Sequence, residues 1–361
     1  LFARVVLMSG SALEPASIAR DADTYARHLA KTINCPNFDN VVMVDCLRQK
    51  SVEDILRVDL MTPQHLTAFG PIVDGIVVPL EPRQLMLRRT GGETSSSSST
   101  SGSGSSGSGS SSSSTPSQSS QQTFLLNSMA SQRTVDLMFG VTRVETPFIF
   151  SGQEERHGID LSRRERILRT LVRNLFDYHQ QAILLTLINE YTDWNRPIEH
   201  PINLLDATAD ILGDALVVAP IVETGDLHTR WTSGAGTTGG GQSGHASGAD
   251  NRPHKTFFYV FVYQSEDGNK LLHQRLGCMH GEELAYLFGA PLAVQLLGRP
   301  VGHFAANYSK PEVTLSEAVM TYWTNFAKYG AQAYFPYSRC TYVYAIYTMI
   351  YCKGEHNSLI L

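Results

Sequence analysis

Three apolar runs frame the chain. "ARVVLMSG" (Ala3–Gly10), "TVDLMFGVT" (Thr134–Thr142) and "TFFYVFVY" (Thr256–Tyr263) are short and rich in β-branched and aromatic residues. Runs of this kind predict buried strands. A fourth, "FGPIVDGIVVP" (Phe69–Pro79), predicts a turn, a strand and a second turn. Helical spacing fills the intervals. Asp21–Ile33 places Tyr25, Leu29 and Ile33 on one side, and another helical pattern begins near Asp39. Ser51 and Asp54 give a capping-box-like start to a helix running to Leu60, and Ser162 with Glu165 opens one from Arg163 towards Tyr191. Further helices are predicted at Asn203–Val217, Pro220–Trp231, Glu282–Phe288 and Pro311–Tyr329. Strands separated by long helical stretches predict an α/β fold with a mainly parallel sheet. Three clear strands are few, so the chain is expected to carry only part of that sheet. A strand left at the open edge of such a sheet is an aggregation hazard.

Two stretches break the pattern. Residues 91–122 are almost entirely Ser and Gly, and 232–251 ("TSGAGTTGGGQSGHASGADN") are Gly-rich. Neither can bury enough apolar surface to offset ordering entropy, so both are expected to be disordered insertions. Loops tolerate them because closure entropy grows only logarithmically with length. His245 inside the second is expected to be solvated.

Composition narrows the classes. Of 361 residues, 29 are basic and 34 acidic, a formal charge of −5. No basic excess draws the chain to nucleic acid or to an anionic membrane. No run of about 20 apolar residues is present, so no membrane-spanning helix is expected. The chain begins Leu1-Phe2-Ala3 and is read as a fragment, without signal peptide or membrane anchor. The five cysteines are an odd number and contain no C-x-x-C pair, so a zinc or redox site is not expected. Cys35 and Cys46 would lie about 16 Å apart on one continuous helix, too far to bond. Pro36 and Asn37 suggest a break that lets the chain bend. Spacing alone leaves open a disulfide or two buried thiols.

The chemistry is sought at the carboxyl ends of the strands. Arg143-Val144-Glu145 follows the second, and Met279-His280-Gly281-Glu282-Glu283 comes after the third. An acid after one strand and a histidine after the next match the later members of a Ser…Glu…His order, in which the acid orients the imidazole and the imidazole takes the serine proton. An isolated acid and histidine at strand ends also arise by chance. No G-x-S-x-G elbow is present, and Ser9-Gly10 has Leu7 where the first glycine would stand. Glu282, Glu283 and His280 lack the H-E-x-x-H order of a zinc site, so no metal is expected. Trp323, at helical spacing with Val319 and Met320, reads as core. Asn307-Tyr308-Ser309 is a glycosylation sequon, of consequence only in a secreted protein.

Whole segments then resemble a known family. "VVLMSGSAL", "FGPIVDG", "GVTRVE", "YTDW", "CMHGEELAYLFGAPL" and "VMTYWTNFAK" are similar, in order and spacing, to the carboxylesterase type B family. Within it the chain most resembles the neuroligins, cholinesterase-like adhesion proteins, through "HGEELAYLFG", "MTYWTNFAKYG" and the loop "NCPNFDNVVMVDCLRQK". The resemblance covers residues 1–330, read as the C-terminal half of the domain, a partial α/β-hydrolase fold. It implies a Cys35–Cys46 disulfide, a triad acid position at Glu145, a triad histidine position at His280 and a glycosylated Asn307. It further implies a non-catalytic adhesion protein at the extracellular face of the plasma membrane, at synapses or cell junctions. Such a protein binds a neurexin-type partner, forms a homodimer when full-length and needs no cofactor. The alternative is a fragment of a secreted esterase, inactive as it stands because the nucleophile elbow is absent. Three departures stand out. Ala305 and Ala306 occupy the neighbourhood of a bonding partner for Cys278. Thr146, not glycine, follows Glu145. Residues 331–361 read as a divergent tail, which makes Cys340 and Cys352 uninformative.

Overall fold

A computed structural model of the chain describes residues 2–87, 135–146, 149–197, 199–233, 255–265, 277–297 and 308–330. Residues 91–122, 234–251, Asn307 and the tail at 331–361 lie outside them, and the first two residues of the stretch predicted at 232–251 close a helix instead. The three predicted strands form β1 (Arg4–Met8), β2 (Asp136–Thr142) and β3 (Thr256–Phe261). They make one parallel sheet in the order β1-β2-β3. Arg4 pairs with Asp136 and Leu137 with Thr256 at the start of the ladders. The central strand is buried along nearly its whole length, as expected for a parallel sheet covered on both faces.

The helices number α1 (Ala22–Thr32), α2 (Asn40–Arg48), α3 (Val52–Leu56) and α4 (Pro82–Leu87) between β1 and β2. Then come α5 (Gly152–His157), α6 (Leu161–Leu175), α7 (Gln180–Glu190), α8 (Pro201–Gly213) and α9 (Ala219–Ser233). After β3 follow α10 (Glu283–Leu287), α11 (Ala290–Leu297) and α12 (Lys310–Tyr329). The strands alternate their side chains between two helical layers. Met138, Phe257, Tyr259 and Phe261 pack on Tyr286 of α10 and Leu315, Val319 and Phe326 of α12. Leu137, Phe139 and Val141 pack on Ile221 of α9. Trp323 meets Tyr259 edge-on, ring centroids 4.9 Å apart, in the core role its spacing suggested. Helix and sheet approach closely at Gly225 of α9, where a Cβ would lie 2.1 Å from the Phe139 ring. A second apolar core joins α6, α7 and α8 through Leu168, Leu171, Leu184 and Leu205.

Five predicted elements differ. Phe69–Pro79 contains no strand: the Asp74 carboxylate accepts the backbone N–H groups of Ile76, Val77 and Val78, which curls the run into a turn. Ile76 and Val77 face solvent as a result. The helix from Ser51 stops at Leu56 rather than Leu60, although Ser51 does cap it by accepting from the Asp54 N–H. The long helix expected towards Tyr191 is two. Asp160, not Ser162, caps α6, and the chain breaks before α7 at His179, whose φ of +43° is left-handed. Conversely, α8 and α9 run on into each other through a π-helical turn at Asp214–Val218. The wider turn sits directly before Pro220, whose missing N–H and ring crowding would otherwise end the helix.

Candidate functional site at the strand ends

β2 and β3 deliver their chain ends to the same place. Past β2, Val144 forms a lone parallel bridge with Met279. The Val144 N–H donates to the Cys278 carbonyl at 3.0 Å, and the His280 N–H donates to the Val144 carbonyl at 2.8 Å. That bridge sets Glu145 beside His280, and the imidazole Nδ1 lies 2.5 Å from Glu145 Oε2. The two residues predicted from strand order are therefore brought together, 135 positions apart in sequence.

Glu145 is buried, and its second oxygen is held as firmly as the first. Oε1 accepts the Thr142 N–H at 2.5 Å and the Ser9 hydroxyl at 2.8 Å. The Thr142 hydroxyl lies 3.1 Å from the same oxygen, its one proton shared with the Val144 carbonyl. Ser9 is the residue just past β1, and its φ of +48° turns the hydroxyl inward. All three strands thus contribute to one knot: Ser9 from β1, Thr142 and Glu145 from β2, His280 from beyond β3. The imidazole is half-buried. Its hydrogen bond to Glu145 raises its pKa above the ordinary histidine range, against the opposing effect of burial.

Two further carboxyls face this imidazole. Glu14 accepts the Ser11 N–H at 2.8 Å, and burial pushes its pKa up to about 7. Glu283, 3% exposed at the first turn of α10, is also raised, chiefly by burial, and its Oε2 has no hydrogen-bond partner. Among the described residues these groups do not converge on a point that could hold a metal ion. Behind Glu145 lies a cavity of about 190 Å³ lined by Arg143, Tyr191, Asp210 and Asp214. Tyr191 donates to Asp214 there at 2.6 Å.

Chemically, an acid fixed on Nδ1 orients an imidazole and stabilises its protonated form, the second half of an acyl-transfer triad. The hydroxyls that reach this pair, those of Ser9 and Thr142, meet the acid, and Ser9 donates to it and so supports the orienting group. Sequence reasoning passed over Ser9, because the elbow pattern was absent, and over Glu14 and Thr142 entirely. Position just past a strand end was the available signal for Ser9. For Glu14 none existed, since the bend at residues 11–17 that folds it back is not legible as a pattern.

Cys35 and Cys46 form a disulfide, with Cα atoms 5.8 Å apart. α2 begins only at Asn40, where Asp39 caps it, so Cys35 lies before the helix and the bent connection closes the loop. Cys278 is a buried free thiol, and burial raises its pKa. The remaining predicted site, Asn307, lies outside the described residues.

The sequence profile of the Carboxylesterase family matches residues 1–348, past Gly330 into the segment read above as divergent. Among curated proteins the chain is similar to Neuroligin-1 of Caenorhabditis elegans, 28% identical over 347 residues, covering 91% of this chain and 36% of that protein. Neuroligin-3 of Mus musculus is 29% identical over 333 residues, 91% of this chain and 32% of the relative. Neuroligin-2 of Rattus norvegicus is 28% identical over 335 residues, again 91% and 32%. The chain spans about a third of the length of the curated relatives it matches.

Proposed function

The chain belongs to the carboxylesterase family, and from that premise we propose that it is part of a neuroligin-like adhesion protein whose hydrolase fold serves recognition rather than catalysis. The observation that carries this reading is its similarity to neuroligins over 91% of its length. The role of Ser9 agrees with it, because the serine beside the acid–histidine pair braces Glu145. In this reading the whole protein stands at the cell surface, at synapses or other junctions, with Asn307 glycosylated. It forms a homodimer and binds a neurexin-type partner. Glu145 and His280 are inherited triad positions whose work is now structural. The test is binding of the whole ectodomain containing this chain to an immobilised neurexin ectodomain. Saturable binding is expected, and its absence with every neurexin of the same animal overturns the reading.

One observation favours a second reading. The Glu145–His280 geometry is that of a working acid–histidine pair. A secreted serine esterase would need a serine on a G-x-S-x-G elbow in the whole protein, together with oxyanion donors. The residue at that elbow position separates the two readings: serine favours the esterase and any other residue favours adhesion.

A further inference from the structure

The knot at the strand ends holds more acid than base. Among the described residues, the charged groups facing His280 are the carboxyls of Glu145, Glu283 and Glu14. Glu145 and Glu283 are 2% and 3% exposed, and Glu283 keeps one oxygen without a hydrogen bond. The described neighbours add no cation to the cluster. Tyr259 and Cys278 face Glu145 and Glu283, and burial holds both in their neutral forms. Glu282 accepts the Met279 N–H and adds a further acid beside Cys278. Among the described residues, the cation Arg143 faces Asp210 across the cavity behind Glu145.

Like charges in a shared, water-poor site cannot all ionise without cost. An unpartnered carboxylate oxygen in the interior adds to that cost, whereas a protonated carboxyl does not carry it. We propose that the strand-end cluster of Glu14, Glu145, Glu283 and His280 is an acid-tightened clasp. It takes up protons as it assembles, holds the Glu14 loop and the 277–283 turn against β2 in mild acid, and loosens progressively as pH rises through neutrality. The inference rests on this cluster alone and not on the adhesion reading.

The directions of titration support it, and their signs agree. Glu14 rises from 4.5 to about 7, Glu283 rises above its ordinary range and His280 rises above 6.5. Each folded value lies above the unfolded one. Each group therefore contributes stability that is complete below its unfolded value and is lost as pH rises through its folded value. The Glu14 share disappears between pH 4.5 and about 7, and the His280 share disappears above 6.5. This runs opposite to the usual acid denaturation, in which paired carboxylates are lost as pH falls.

The test is backbone hydrogen exchange on the intact chain at about pH 5.5 and about pH 8, corrected for intrinsic rates. The reporters are the Val144 and His280 amides, which close the bridge. Protection is expected to be about tenfold greater at the lower pH. In E283Q, which keeps shape but cannot ionise, the difference should shrink through a gain of protection at the higher pH. E14Q, on a separate loop, should also reduce it. Equal or greater protection at the higher pH in the unaltered chain, no protection at either, or an undiminished difference in both variants overturns the proposal.

Discussion

Removing the Glu145 side chain is the most informative single perturbation of the strand-end knot. Glu145→Ala leaves the Thr142 N–H and the Ser9 hydroxyl, both buried, without their acceptor. An orphaned buried donor costs about 1–3 kcal/mol. His280 is half-buried and can be rehydrated, so its lost bond adds little. The expected loss at the knot is about 3–5 kcal/mol. Glu145→Gln behaves differently. Its amide oxygen still accepts from Ser9 and Thr142, while its amide N–H faces Nδ1. A neutral imidazole can meet it by carrying its proton on Nε2, so at neutral pH the cost is about 1 kcal/mol. In acid the imidazolium Nδ1–H confronts an N–H, and the Gln variant loses more. Exchange of the Thr142, Val144 and His280 amides reads these values locally. At about 1.4 kcal/mol per factor of ten, the Ala variant should lose about two to four powers of ten in protection and the Gln variant about one. Equal losses in both variants, or an Ala variant within threefold of the unaltered chain, would refute the reasoning.

Other perturbations probe other parts of the fold. Gly225→Ala drives a methyl to within 2.1 Å of the Phe139 ring in the core between α9 and the sheet. Overpacking of this kind costs about 1–3 kcal/mol and should lower the urea midpoint, whereas Gly152→Ala, whose nearest atom is a flexible glutamate end at 3.9 Å, should leave it unchanged. Replacing both Cys35 and Cys46 by serine opens a short loop and should cost about 2–3 kcal/mol. The loss should appear as faster exchange confined to α1 and α2, with the strand amides unaffected.

The sequence carried the sheet well, because each strand is a short β-branched or aromatic run between polar breaks. All three were placed within a few residues, and their parallel direction followed from the helical stretches between them; their order in the sheet was not read. Failures came where one polar side chain overrode local pattern. Asp74 took three backbone amides and turned an apolar run into a loop; Asp160, two residues before Ser162, took the cap of α6. The join of α8 to α9 was hidden because Pro220 reads as a stop, and only the π-helical turn before it lets the helix continue. At the site, Glu145 and His280 were legible as strand-end residues. Glu283 stands in the same strand-end run as His280, whereas Ser9 and Glu14 were not legible, since they reach the pair from chain segments distant in sequence. For Cys35 and Cys46, spacing left two outcomes open, and the start of α2 at Asn40 decides between them.

The central claim is that this hydrolase-type domain keeps an oriented acid–histidine pair without using it to cleave esters. Hydrolysis of a short-chain aryl ester by the whole protein containing this chain tests it most directly, with His280→Ala measured alongside. The account predicts release at the buffer rate, identical in the two proteins. Saturable hydrolysis above that rate, abolished by His280→Ala, would contradict it.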